Sequence, residues 1–190
     1  MNVEAVVLAA GYSSRAGAFK PALDVGGKTV LERCIAAMAD LCSRIIVVGG
    51  YRIETVQRIL ARDPKVEIVY NRRYDEGMFT SVQEGMRHVR GERVFYTPGD
   101  YPLISPAVCR SLLQEEGEIV IPVCQGRKGH PALISGRMAA AIAGEDSRSN
   151  MRAFLQEQGF KTLAVADEGI LLDIDTPEDY RRVLERLELT

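Results

Sequence analysis

At 190 residues the chain is large enough for a substantial core and short enough to read as one domain spanning 1–190. A hydrophobic fraction of 46% with 26% charged residues is that of a soluble globular protein rather than a disordered one. The net charge of −2 excludes a general attraction to nucleic acid or to an anionic membrane, so any anion site must be a local cluster of cations.

The apolar run Val3 to Leu8 predicts a buried β-strand. The next stretch, Leu8 to Lys20 (LAAGYSSRAGAFK), turns abruptly small, polar and basic. Thr29 with Glu32 three residues on forms a capping box, so a helix follows with Leu31, Ile35 and Met38 on its inner face. Arg44 to Val48 is a β-branched strand ended by Gly49-Gly50, and a helix from about Arg52 to Ala61 carries Ile53, Val56, Ile59 and Leu60. Val66 to Tyr70 is a third strand, and Glu76 or Gly77 starts a helix reaching about Val89. Arg93 to Thr97 is a fourth strand, ending at Pro98-Gly99-Asp100-Tyr101-Pro102, and Ser105-Pro106 supplies an N-cap and an N1 proline for the next helix. Glu118 to Val123 is another strand, Gln125 to Gly129 is a turn, and Ala132 to Ser135 is placed to pair back as a hairpin. Helical stretches follow near Arg137 to Ala143 and Asn150 to Gln158, with strand material at Lys161 to Ala166 and Ile170 to Ile174. Thr176-Pro177 opens a last helix with Tyr180, Val183, Leu184 and Leu187 on one face.

This alternation, with strands too uniformly apolar for a sheet with one wet face, predicts an α/β fold: a mostly parallel sheet flanked by helices on both faces. Ligands of such sheets sit beyond the carboxyl ends of the strands. Three polar clusters are expected at those ends: Gly11 to Lys20, Gly99-Asp100, and Asp173 to Asp175. Cys34, Cys42, Cys109 and Cys124 lack Cys-x-x-Cys spacing and have no histidine at ligand spacing, so they read as buried reduced thiols. No apolar run approaches a membrane span and the N-terminus carries no signal-peptide pattern, which leads to the expectation of a cytoplasmic protein.

The chemistry begins in the first loop. Ala9, Ala10 and Gly11 let a ligand approach the main chain, Ser13 and Ser14 offer hydroxyls, and Arg15 and Lys20 offer positive charge. A small-residue loop past a strand tip with two cations suits phosphates, although it lacks the Lys-Ser ending of a Walker loop and the spacing of a dinucleotide fingerprint. Asp100 follows a strand tip, and Asp173 and Asp175 precede Thr176-Pro177-Glu178. Each carboxylate also has a plainer use: Asp100 as a turn residue, Asp173 and Asp175 as helix-start charge, Asp175 even as the cap. With the loop they suggest magnesium-assisted transfer at phosphorus, since Mg²⁺ takes one or two carboxylates and completes its octahedron with phosphate and water. Gly126-Arg127-Lys128-Gly129-His130-Pro131 reads as an exposed hairpin tip or as a second anion site using the Gly129 backbone and a donor from His130. Asn71 and Gly77-Met78-Phe79-Thr80-Ser81 flank another strand end, where Met78 and Phe79 belong either to the core or to a flat apolar lid over a base.

Leu8-Ala9-Ala10-Gly11-x-Ser13-x-Arg15-x-Gly17-x-x-Lys20 resembles the signature of nucleotidyltransferases related to molybdenum cofactor cytidylyltransferase. The likeness continues, in order, through Gly77-Met78-x-x-Ser81-x-x-x-Gly85, Gly99-Asp100-x-Pro102, Gly129-His130-Pro131 and Asp173-Ile174-Asp175-Thr176-Pro177-Glu178-Asp179. The resemblance implies a Rossmann-like, GT-A-like fold and the attack of a pterin phosphate on the α-phosphorus of CTP, with pyrophosphate leaving. It implies that Arg15, Lys20 and Asp100 are catalytic, and that Leu8, Ala9, Ala10, Gly11, Ser13, Asn71, Gly77, Ser81 and Gly99 join Arg15 and Lys20 around the nucleotide. Asp100 and Asp175 would hold Mg²⁺, with Gly129, His130 and Pro131 on the acceptor side. Ala16 replaces a usual methionine and Tyr101 a common glutamine; Ala10 stands where guanylyl-transferring relatives carry glycine, which favours CTP. Other expectations fit the same residues: guanylyl transfer, a sugar or polyol phosphate as acceptor, or a non-catalytic cofactor carrier serving a molybdoenzyme.

Overall fold

The computed structural model describes residues 1–146 and 149–188. Strand β1 (Val3–Ala9) is buried along its whole length because it contributes to two cores at once. Val3, Ala5, Val7 and Ala9 face one layer and Val6 and Leu8 the other. After two turns of 3₁₀ helix at Ser14–Ala16 and Lys20–Ala22, a small hairpin pairs β2 (Asp24–Val25) with β3 (Lys28–Thr29). Helix α1 (Val30–Ala36) starts at the expected capping box: the Thr29 hydroxyl accepts from the Glu32 amide, and the Glu32 carboxylate accepts from the Thr29 amide. Then come β4 (Arg44–Gly49), α2 (Ile53–Leu60), β5 (Val66–Tyr70), α3 (Met78–Arg87), β6 (Arg93–Pro98) and α4 (Pro106–Leu113). The second half adds β7 (Ile119–Cys124), β8 (Arg127–Lys128), β9 (Ala132–Ser135), α5 (Gly136–Gly144), α6 (Met151–Gln158), β10 (Lys161–Ala164) and α7 (Pro177–Glu188).

The strand order is β10-β7-β9-β6-β1-β4-β5, with β8 paired to β7. All main pairings are parallel except those of β9, which runs antiparallel between β6 and β7. The expected hairpin of β9 with β7 therefore forms, and β9 gains β6 as a second neighbour. One layer packs α1, α2 and α4 through Leu31, Ile35, Val56, Leu60, Val108 and Leu112. The other packs α3, α5 and α6 through Val82, Met86, Met138, Ile142 and Phe154. A smaller cluster of Val25, Val30, Ile174 and Val183 seats α7. All four cysteines are free and buried, and burial pushes the Cys42 and Cys109 thiols up to about 12. Among the described residues no helix is long and apolar enough to cross a membrane.

One expected strand does not form. Ile170 to Ile174 includes one end of a 3₁₀ turn, Glu168–Leu171, capped by Asp167 accepting from the Gly169 amide. Its apolar residues serve different cores: Ile170 joins the large layer and Ile174 the cluster under α7. The third polar cluster therefore does not follow a strand. The Ile174 amide instead donates to the Asp100 carbonyl at 3.1 Å, which ties that cluster to the tip of β6.

Candidate active site

From β1 the sheet grows one way through β4 and the other way through β6, so the carboxyl ends of β1 and β6 form the switch point where open α/β sheets bind ligands. The two ends are stitched by the Gly99 amide donating to the Leu8 carbonyl at 2.8 Å. Position 99 has no room for a side chain, because a Cβ there would lie 2.8 Å from the Leu8 oxygen and 3.0 Å from Leu31. A cleft of about 1010 Å³ opens above this junction.

The first loop forms one wall. Ser13 takes a left-handed backbone at φ 57°, and its hydroxyl accepts from the Lys20 amide at 3.1 Å, which turns the Lys20 side chain inward. Gly11 is open: nothing lies within 4 Å of where its Cβ would stand. Among the described residues the amides of Gly11, Tyr12 and Ser13 have no acceptor. Leu8, Ala9, Ala10, Gly11, Ser13, Arg15 and Lys20 all line the cleft, as the sequence led us to expect.

Opposite stand the carboxylates. Lys20 Nζ donates to Asp100 Oδ2 at 2.5 Å and to Asp175 Oδ1 at 3.0 Å, while the exposed Arg15 pairs with Asp175 Oδ2 at 2.8 Å. Burial would lower the Lys20 pKa, but the charge and hydrogen bonds of Asp100 and Asp175 outweigh it and raise it. Asp173 also lines the cleft; burial and the nearby Asp100 push its pKa up. Helix α7 is capped without Asp175. The Thr176 hydroxyl accepts from the Asp179 amide, and the Asp179 carboxylate takes the amides of Asp175 and Thr176. The Asp175 side chain is thus left for the cations.

The other two walls differ from expectation in part. Gly77 and Ser81 line the cleft, but Asn71 lies behind it: its amide nitrogen donates to the hydroxyls of Thr80 and Ser81, both at 2.9 Å. Of the two residues read as either core or lid, Phe79 is core while Met78 is exposed at the cleft wall. Of the residues expected on the acceptor side, Gly129 and His130 line the cleft and Pro131 does not. The expected backbone donor at Gly129 is already engaged, since its amide donates to the Pro122 carbonyl at 2.9 Å and that of His130 to the Ile170 carbonyl at 3.0 Å. The His130 ring packs 4.8 Å from the Tyr101 ring and 5.9 Å from that of Tyr96, and burial pushes its pKa down to about 4. It is a neutral group at physiological pH and brings no positive charge. Sequence reasoning passed over Tyr96, Arg152 and Phe160, which also line the cleft, and named Lys128 only within the basic hairpin cluster. The hairpin around Lys128 was visible as a basic cluster, but the contribution of α6 carries no local signal.

A sheet of this order, with an open small-residue loop and acidic side chains meeting over its switch point, is the architecture of a nucleotidyltransferase. Residues 5–163 match the MobA-like NTP transferase domain, and the chain belongs to that family. It is 33% identical over 186 residues to the molybdenum cofactor cytidylyltransferase of Escherichia coli, covering 97% of this chain and 96% of that one. A nucleotidyl transferase from Methanothermobacter superposes with a TM-score of 0.87 at 24% identity, covering 99% of this chain and 98% of that one. Rv0371c from Mycobacterium tuberculosis, solved in complex with manganese, gives a TM-score of 0.79 at 25% identity and covers 97% of this chain and 99% of that one.

Proposed function

We propose that this nucleotidyltransferase moves CMP from CTP to molybdopterin. The acceptor phosphate oxygen bonds to the α-phosphorus, the bond to the β-phosphate oxygen breaks, and pyrophosphate leaves. The observation that carries this reading is the meeting of Lys20 with Asp100 and Asp175 in one cleft beside the open amides of Gly11 to Ser13. The near full-length likeness to the cytidylyltransferase of Escherichia coli supports the choice of base and acceptor, as does Ala10 where guanylyl-transferring relatives carry glycine.

In this reading the amides after β1 and Arg15 hold the triphosphate. Bringing two phosphates together costs roughly 4 kcal/mol per pair of unit charges at about 4 Å in a partly wet site. Lys20 swings from its carboxylates toward the α-phosphate and neutralises the charge growing there. Ser81, held by Asn71, contacts the base or ribose. No general base is needed, because the attacking phosphate is already ionised; alignment and charge neutralisation do the work. A divalent ion, Mg²⁺ in our reading, fits the acidic wall: Asp100 Oδ1 is buried without a hydrogen-bond partner. Magnesium held by one or two carboxylates completes its octahedron with phosphate oxygens and water. When bound by Asp100 and Asp175, the ion would supply Lewis-acid polarisation of the phosphates.

The test is a thermal-shift screen of the four nucleoside triphosphates with Mg²⁺, followed by pyrophosphate release with molybdopterin. At 100 times its dissociation constant CTP adds about 2.7 kcal/mol of stability. A larger shift with GTP overturns the choice of base. Product from a sugar phosphate but not from molybdopterin overturns the acceptor. Nucleotide binding without pyrophosphate under any condition supports a carrier instead.

A further inference from the structure

The loop from Gly11 to Lys20 holds working groups at the surface: Tyr12 is 51% exposed and the Arg15 side chain 74%. Its backbone closes on itself only locally, with the Ala16 amide donating to the Ser13 carbonyl at 3.1 Å. The contacts that seat it against the sheet converge on Tyr51, just past the tip of β4. The Tyr51 ring lies 5.2 Å from the Tyr12 ring near one end of the loop. It meets the Phe19 ring near the other end edge-on, at 6.1 Å. The Arg52 guanidinium stands 5.6 Å from the centre of the same ring. The Tyr51 amide donates to the Ala10 carbonyl at 3.1 Å. In a trans peptide the carbonyl and the following N–H point opposite ways, so this bond aims the Gly11 amide away from β4. The strand tip is closely packed here: a Cβ at Gly50 would lie 2.6 Å from Tyr74 and 2.9 Å from the Ala10 oxygen. Tyr74 in turn lies 5.4 Å from the Tyr12 ring.

Tyr51 does not line the cleft, so its ring is not a wall for the nucleotide. We propose that Tyr51 is the positioning residue of the phosphate loop. One ring pins both ends of the loop, and the amides of Gly11 to Ser13 and the ammonium of Lys20 thereby keep a fixed spacing. Lys20 follows Phe19 directly, so any shift of Phe19 is carried to Lys20. Tilted and edge-on ring pairs add directional attraction to simple burial. Two such pairs lost together leave a loop that must be ordered again each time a triphosphate binds, which weakens affinity by about tenfold. Tyr51 acts through the loop and touches neither nucleotide nor phosphorus. The inference rests on the nucleotidyltransferase reading of the cleft and adds a residue outside it that sets the geometry within.

Limited trypsin digestion of the whole protein tests the pin without any substrate. The bond after Arg15 is open to trypsin only when the loop leaves its seat, and Pro21 blocks the bond after Lys20. Release of residues 1–15 is followed by mass spectrometry. Tyr51→Leu keeps apolar bulk and loses the flat ring; it should speed this cut about tenfold while cuts elsewhere keep their native rates. Tyr51→Phe should keep the native rate at Arg15. Calorimetry with CTP and Mg²⁺ should then show binding about tenfold weaker in the leucine variant and within about twofold of native in the phenylalanine variant. Equal speeding of every cut would reveal a general loss of stability and overturn the proposal. So would a leucine variant that is cut after Arg15, or binds CTP, as the native chain does. A native chain that binds no nucleoside triphosphate overturns the nucleotide reading, while the cut after Arg15 still decides whether Tyr51 pins the loop.

Discussion

Lys20→Met removes the charge and shortens the side chain by only one atom. In the native chain Nζ lies 2.5 Å from Asp100 and 3.0 Å from Asp175, and the three side chains are 16% to 33% exposed. Stripping the partner from a fully buried charge costs about 3–5 kcal/mol, and partial solvation reduces this, so a loss of about 1–3 kcal/mol of unfolding free energy is expected. The raised pKa of Lys20 means that this contribution is complete below 10.5 and disappears as pH rises through the folded value, so urea melts at pH 7 sample it in full. Two carboxylates left facing the same space attract a divalent ion more strongly. Calorimetry with Mn²⁺ and no nucleotide should therefore give about tenfold tighter binding in the variant. Turnover should move the other way, falling roughly 10²- to 10³-fold, because the growing charge at phosphorus loses its ammonium partner. Pyrophosphate release within about threefold of native would remove Lys20 from the mechanism. Metal affinity unchanged or weaker would show that its ammonium does not compete for the acidic wall.

Three further outcomes are expected. The pKa of His130 is depressed to about 4 by burial, so stability is lost as pH falls from 6.5 toward that value, while the unfolded chain takes up a proton and the folded chain does not. The loss is at most about 3 kcal/mol, and denaturant melts of His130→Phe should be flatter over that window. Asp173 is raised by burial and by Asp100, so its carboxylate opposes folding above its pKa; Asp173→Asn should raise the melting temperature at pH 7. If Asp175 rather than Asp173 serves the ion, Asp173→Asn keeps turnover within about tenfold and Asp175→Asn loses about a hundredfold or more. Gly99→Ala forces a methyl to 2.8 Å from the Leu8 carbonyl and should cost about 1–3 kcal/mol in urea melts, with nucleotide binding weakened because the β1 and β6 tips part.

Much of this was legible because local chemistry and tertiary role agree. The Val3 strand, the Thr29 capping box and the Ser105-Pro106 start each require only their own neighbours. Ile170 to Ile174 was misread because burial, not strand pairing, accounts for its apolar residues, and the two cores they fill are invisible locally. Lys20, Asp100 and Asp175 were found one at a time, but their meeting depends on the Ile174 amide reaching the Asp100 carbonyl across 74 positions of chain. Asn71 was rightly placed near the strand end, yet which way its amide points is decided by Thr80 and Ser81. The engagement of the Gly129 amide by Pro122 could not be read without the hairpin geometry.

The reversed strand β9 has a bearing on how such an enzyme changes over time. Because it runs against its neighbours, the chain climbs β7, turns over the cleft through β8, Gly129 and His130, and descends again without leaving the sheet. The wall so formed is one unbroken piece of sequence, separate from the β1–β6 seam that carries the opposite wall. If that wall seats the acceptor, as the resemblance at Gly129-His130-Pro131 implies, substitutions confined to it alter the seat while Lys20, Asp100 and Asp175 keep their contacts.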